Sequence, residues 1–230
     1  MNPILRRRLV NALFALVLTG LGLFTALFIR VRYFPPRFDV VSIATLPEYQ
    51  DRALLERAWA LPVARTFLHE LDFQTNGSIS GPTSVANTFR SLGEGPVTPR
   101  TVLDGTGKCP FGFCLGGLGL VDLASVVRAK SRRSATVLTD LSLSEFRMHM
   151  HHTNDPGRRY LVNFERGLLF GKGVAQYSPI AGYLEGRDLV FVLDVNAKFG
   201  PWLVPAERLY RAANSSDSRS GQPRGLILIQ

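Results

Sequence analysis

Residues 73–92 read FQTNGSISGPTSVANTFRSL. The first half is polar and rich in Gly and Ser. The second half sets Val85, Phe89 and Leu92 on one side of a helix. Pro82 suits the first turn of that helix, where a missing N–H costs little. Ser80 falls at or just before the helix start, and Gln74 stands six residues ahead of it. A helix N-terminus offers unpaired N–H groups and a partial positive charge. A nucleophile seated there gains acidity and has oxyanion donors close by. The junction therefore reads either as a nucleophile seat at Ser80 or as a helix capped by the Ser80 hydroxyl, the commoner use of serine at such a place.

Working outward, the chain has 230 residues, enough for one sizeable domain with an appendage. An apolar fraction of 46% excludes wholesale disorder. The net charge of +9 is spread along the chain, apart from Arg6–Arg8 and the Lys130-Ser131-Arg132-Arg133 group. Such basicity suits an anionic lipid surface or an acidic partner. A nucleic-acid footprint needs a concentrated basic stripe or a recognition motif; neither is present, and no nucleic-acid partner is expected.

Residues 9–29, LVNALFALVLTGLGLFTALFI, carry no charge. Such a run is long enough to cross a bilayer core as a helix. Arg6, Arg7 and Arg8 precede it and Arg30, Arg32 and Arg37 follow it, a weak bias toward a cytoplasmic N-terminus. The competing reading is a signal peptide, whose apolar region is shorter and ends at small residues. Here Phe28 to Phe34 contains no small residue, which favours an uncleaved anchor.

Beyond Pro35 and Pro36 the pattern predicts a short strand over residues 40–43 and a helical stretch over 46–68 interrupted by Pro62. After the 73–92 unit come a loop over 93–108, a helix over 118–129 with Leu120, Leu123, Ala124 and Val127 inward, a strand at 135–137 and a helix over 142–152. After the Asp155-Pro156-Gly157 turn, residues 160–164, 177–183, 189–195 and 226–229 have strand character, and 205–213 a helical one. Helices first and an antiparallel sheet second argue α+β.

Cys109 and Cys114 in CPFGFC are spaced for a small disulfide loop or for two unpaired residues, and do not encode a redox CxxC pair or a four-ligand zinc site. His149 and His152 in FRMHMHH lie three apart and could share a helix face, a weak candidate for a divalent metal; solvated histidines are the plainer reading. His69 reads as a structural histidine at a helix end.

Several segments together resemble the phytochelatin synthase family: FQTNGSISG (73–81), YLVNF (160–164), QYSPIAGYLEGRDLVFVLDV (176–195) and DSRSGQPRGLILI (217–229). The resemblance implies a papain-like α+β fold and acyl transfer on glutathione by a Cys-His-Asp triad. Gln74 matches the family's oxyanion glutamine. Ser80 stands where the family has its cysteine, and Gln176 where its histidine opens a His-(Phe/Ile)-Ser-Pro segment. Asp194 matches the aspartate eighteen residues beyond that histidine. A serine needs a base to lose its proton, and a glutamine amide cannot take one.

The expected organisation is an anchor over residues 1–30, a linker over 31–48 and a papain-like domain over 49–230, with the N-terminus cytoplasmic and the domain in the periplasm at a bacterial inner membrane. The expected function is a pseudoenzyme, a binding or accessory subunit of a membrane complex that holds a glutathione-like ligand. The alternative is a glutathione gamma-glutamylcysteinyltransferase or hydrolase using Ser80. No cofactor is expected, with a divalent cation left open; the expected partners are membrane lipid and a membrane complex.

Overall fold

A computed structural model describes residues 3–33, 49, 51–171, 173–217 and 221–230. The strand expected over 40–43 lies outside the described residues. The chain divides into two units, Met1–Arg37 and Phe38–Gln230.

In the first unit, α1 (Pro3–Tyr33) is one uninterrupted helix. Its stretch Arg6–Arg30 contains an 18-residue run with a mean hydropathy of 2.4 and has no buried residue. At a rise of about 1.5 Å per residue it is long enough to cross a bilayer, as a membrane anchor or a signal sequence.

The second unit opens with α2 (Arg52–Trp59), capped by the Asp51 carboxylate, which accepts from the Leu54 N–H at 2.9 Å. Pro62 does interrupt the helical stretch: it begins a separate turn, α3 (Pro62–Arg65), at the first helical position. His69 lies past α3 in left-handed backbone and stacks on Trp59 at 4.0 Å between ring centres, so it is not in a helix. The central helix is α4 (Ser80–Leu92), which ends on Gly93 at φ 66°, a conformation glycine adopts without strain. The loop expected over 93–108 contains a further short helix, α5 (Pro99–Leu103). Thr98 and Thr101 cap its start reciprocally and Pro99 takes its first turn, a start signal carried by threonine instead of the usual Glu or Gln.

Next come α6 (Leu120–Lys130), β1 (Ala135–Leu138), α7 (Leu143–His151), β2 (Arg159–Glu165), α8 (Arg166–Phe170), β3 (Ala175–Leu184), β4 (Leu189–Leu193), β5 (Pro201–Pro205), α9 (Ala206–Ala213) and β6 (Gly225–Ile229). Leu120, Leu123, Ala124 and Val127 are buried, as their spacing predicts. The strands form one sheet in the order β1-β6-β2-β3-β4-β5, antiparallel throughout. β5 was not foreseen: among the described strands it pairs only with β4, at the sheet edge, where its bounding prolines interrupt no further ladder.

The sheet is covered on both faces. Tyr160, Val162 and Phe164 alternate toward a core with Phe146 and Met150 of α7 and Leu209 of α9. Leu161 and Tyr177 point the other way, to Val85 and Phe89 of α4 and Leu123 of α6. Further along the sheet, Phe191 and Leu203 pack with Ala58 of α2 and Val63 of α3. A strand buried on both faces reads as an unbroken apolar run, which is what LVFVL of β4 is.

Candidate functional site

The site forms where the 73–79 loop meets the start of α4 and the ends of β3 and β4. Asn87 fixes the loop's entry, accepting from the Asp72 N–H and donating to the Asp72 carbonyl, each at 2.9 Å. The Gln74 N–H then donates to the Val195 carbonyl at 2.8 Å, which ties the loop to the chain just past Asp194.

Ser80 is the first residue of α4 and is 6% exposed. The capping position is Ile79, so Ser80 does not cap the helix. Its Oγ accepts from the Tyr177 N–H at 3.3 Å, and among the described residues that is its only hydrogen bond. Tyr177 is no base for it: burial pushes the phenol well above its ordinary value, and its Oη donates to the Leu118 carbonyl at 3.1 Å.

Gln176, on β3, pairs across the sheet with Phe164, and this register sets Arg166, two residues past Phe164, beside it. Arg166 Nη1 donates to Gln176 Oε1 at 3.2 Å, and Nη2 donates to both oxygens of Asp194 at 2.5 and 2.6 Å. Asp194 is fully buried and also accepts from the Asn196 N–H at 2.9 Å and the Trp202 indole at 3.4 Å. Burial pushes its carboxyl up from the ordinary value, and the guanidinium, the Asn196 N–H and the indole oppose that push. The Phe199 ring lies 4.0 Å from the Arg166 guanidinium carbon. Gln176 Nε2 donates to Gln74 Oε1 at 2.8 Å and reaches Asp194 Oδ1 at 3.4 Å.

The fold thus links Gln74, Gln176 and Asp194 through hydrogen bonds centred on Arg166 and Gln176, while Ser80 is bonded to the backbone of Tyr177, the residue after Gln176. Sequence reasoning missed Arg166. The one signal available was the strand register, since residues just past Phe164 must lie next to Gln176.

Cys109 and Cys114 are disulfide-bonded. Their loop is not remote from Ser80, as its place in the sequence suggests. Both cysteines pack against Ile79, the Cys114 N–H donates to Ser78 Oγ at 3.1 Å, and Asn76 Nδ2 donates to the Gly112 carbonyl at 3.4 Å. His149 engages the Tyr160 hydroxyl at 3.2 Å on α7, and His152 lies in the turn after that helix. Among the described residues no three His, Cys, Asp or Glu side chains gather in a metal-binding group.

The family model described as phytochelatin synthase matches residues 115–226. That region includes Arg166, Gln176 and Asp194 and begins after Gln74 and Ser80. The chain is 35% identical over 78 residues to glutathione gamma-glutamylcysteinyltransferase 1 of Arabidopsis thaliana, across 34% of this chain and 16% of that protein. It is 26% identical over 117 residues to glutathione gamma-glutamylcysteinyltransferase of Schizosaccharomyces pombe, across 50% of this chain and 28% of that protein. The matched stretches thus span less than a third of these relatives. A solved structure of a C39-like peptidase from Bacillus anthracis shares the fold, with a TM-score of 0.50 at 13% identity over 71% of this chain and 95% of that one. The fold is papain-like, and over residues 115–226 the chain matches the phytochelatin synthase family.

Proposed function

We propose that this chain is a membrane-anchored phytochelatin synthase-like domain that holds a glutathione-like peptide in its cleft without turning it over, as a binding or accessory subunit. The observation that supports this reading is the use already made of the catalytic positions. The Asp194 carboxylate is occupied by Arg166, Asn196 and Trp202, and the base position is an amide held between Arg166 and Gln74. Losing the base alone costs on the order of 10⁴–10⁶ in rate where residues act as one unit. The same reading places the N-terminus in the cytoplasm and the domain in the periplasm of a bacterial inner membrane, from the arginines before α1.

The test uses the full chain in detergent with glutathione, with and without cadmium or zinc, and glycine release read by mass spectrometry. A Ser80→Cys/Gln176→His variant runs beside it. Glycine from the variant alone supports the reading. Glycine from the natural chain, abolished by Ser80→Ala, overturns it.

A second reading, glutathione acyl transfer or hydrolysis by Ser80, is favoured by one feature. Ser80 sits at the N-terminus of a buried helix near a glutamine amide, and the matched relatives are named gamma-glutamylcysteinyltransferases.

A further inference from the structure

The hydrogen bonds running from Arg166 to Gln74 have only one polarity. A guanidinium donates and never accepts. The Gln176 atom facing Arg166 Nη1 is therefore the amide oxygen, and its Nε2 faces Gln74 Oε1 and Asp194 Oδ1. Reversing this amide sets a donor against a donor at Arg166 and oxygen against oxygen at both Gln74 and Asp194. Two charged groups of opposite sign, each held by the other, thus fix the orientation of Gln176. Gln176, 2% exposed, in turn fixes the next amide, because its N–H claims the oxygen of Gln74. The Gln74 carboxamide nitrogen then donates to no acceptor among the described residues. Gln74 is half-buried, so its two N–H groups remain for a molecule that reaches the site from solvent.

We infer that Gln176 is a positioning residue: it holds the Gln74 amide by its oxygen and leaves its N–H groups free, so that the site takes an oxygen acceptor, the carbonyl or carboxylate of a peptide-like ligand. The replacement at position 176 thus preserves a polarised binding site in the absence of a base. The relay rests on the bonds alone; the choice of glutathione as probe rests on the proposed function.

Gln176→Glu separates a polarity relay from mere packing. At neutral pH the introduced carboxylate accepts on both sides. It keeps Arg166 but claims an N–H of Gln74, leaving the Gln74 oxygen free. Once protonated, the introduced carboxyl again donates to Gln74 Oε1. The charged groups facing this position are Arg166 of α8, which favours the carboxylate, and Asp194 after β4, which disfavours it.

The experiment uses the full chain in detergent micelles with ¹⁵N-labelled glutamine side chains. It follows amide exchange at Gln74 and glutathione affinity from neutral pH to pH 4. In the wild type the Gln74 N–H groups exchange fast and slow down on adding glutathione. In Gln176→Glu at neutral pH they are protected without ligand and glutathione binds about 10-fold or more weakly, as expected when a hydrogen-bond donor is exchanged for an acceptor. Acidification reverses both effects relative to the wild type. Gln176→Leu, which adds no charge, frees the Gln74 amide to turn and falls between the two in affinity. Unchanged Gln74 exchange in Gln176→Glu, no recovery at low pH, or Gln176→Leu binding as weakly as Gln176→Glu overturns the relay. A wild type that binds no glutathione overturns the ligand reading, while the exchange pattern still decides the relay.

Discussion

Arg166 determines the character of this site more than any residue that the family motif points to. It is 1% exposed, and its only carboxylate partner among the described residues, Asp194, is fully buried. Removing one member of such a pair strands the other charge, which costs about 3–5 kcal/mol. We therefore expect Arg166→Met to lower stability by that amount in denaturant titration, and Arg166→Met/Asp194→Asn to regain much of the loss. Arg166 also bears on repair of the triad. A histidine placed at position 176 meets the Nη1 that now donates to the amide oxygen, and only an unprotonated ring nitrogen can accept it. Ser80→Cys/Gln176→His should therefore release glycine with a rate that falls as pH drops and the imidazole charges. A rate that rises under the same acidification rules out this geometry. Gln74, Ser80, Gln176 and Asp194 were singled out in the sequence by the resemblance to the phytochelatin synthase family, whose site positions they match. Arg166 was not, since what places it is the pairing of Phe164 with Gln176 across the sheet.

Among the elements, α7 and the disulfide loop each yield a measurable expectation. The Glu145 and Ser142 capping box starts α7, and His149 lies further along it, against Tyr160. Burial first, then the charges of His152 and Arg158, lower the His149 value from 6.5. A base with a lowered folded value binds its proton more readily when unfolded. The His149 contribution to stability is therefore present above pH 6.5 and is lost as pH falls through 6.5 toward the lowered value. His149→Gln should flatten the stability profile in that window in thermal melts at graded pH. For the loop, the chain-entropy estimate for so short a ring is roughly 2 kcal/mol. Reducing the Cys109–Cys114 bond should cost about that much and speed amide exchange at Ser78 and Cys114, whose hydrogen bond joins the loop to the seat of Ser80. α5 and β5 escaped the sequence reading for separate reasons. α5 starts on a threonine pair instead of an acidic box, and β5 is a short strand between prolines whose character comes from its neighbour β4.

At the scale of the whole molecule, the chain divides into the unit that holds α1 and the folded unit that holds the sheet. A helix with an uncharged, unburied apolar run of this length passes as an anchor or a signal sequence. If it is an anchor, the intact mass of membrane-extracted protein retains residues 1–33; a mass that begins beyond them assigns a cleaved leader. The sheet's outline was visible in its alternating and unbroken apolar runs, whereas its strand order was not, because pairing partners far apart in sequence leave no local pattern. That order has a temporal consequence. β6 leaves the ribosome after every other described strand, yet it lies between β1 and β2 and is the sole sheet partner of β1 among them. The nascent chain therefore holds an unfinished sheet, with β1 unpaired among the described strands, until β6 arrives and locks it.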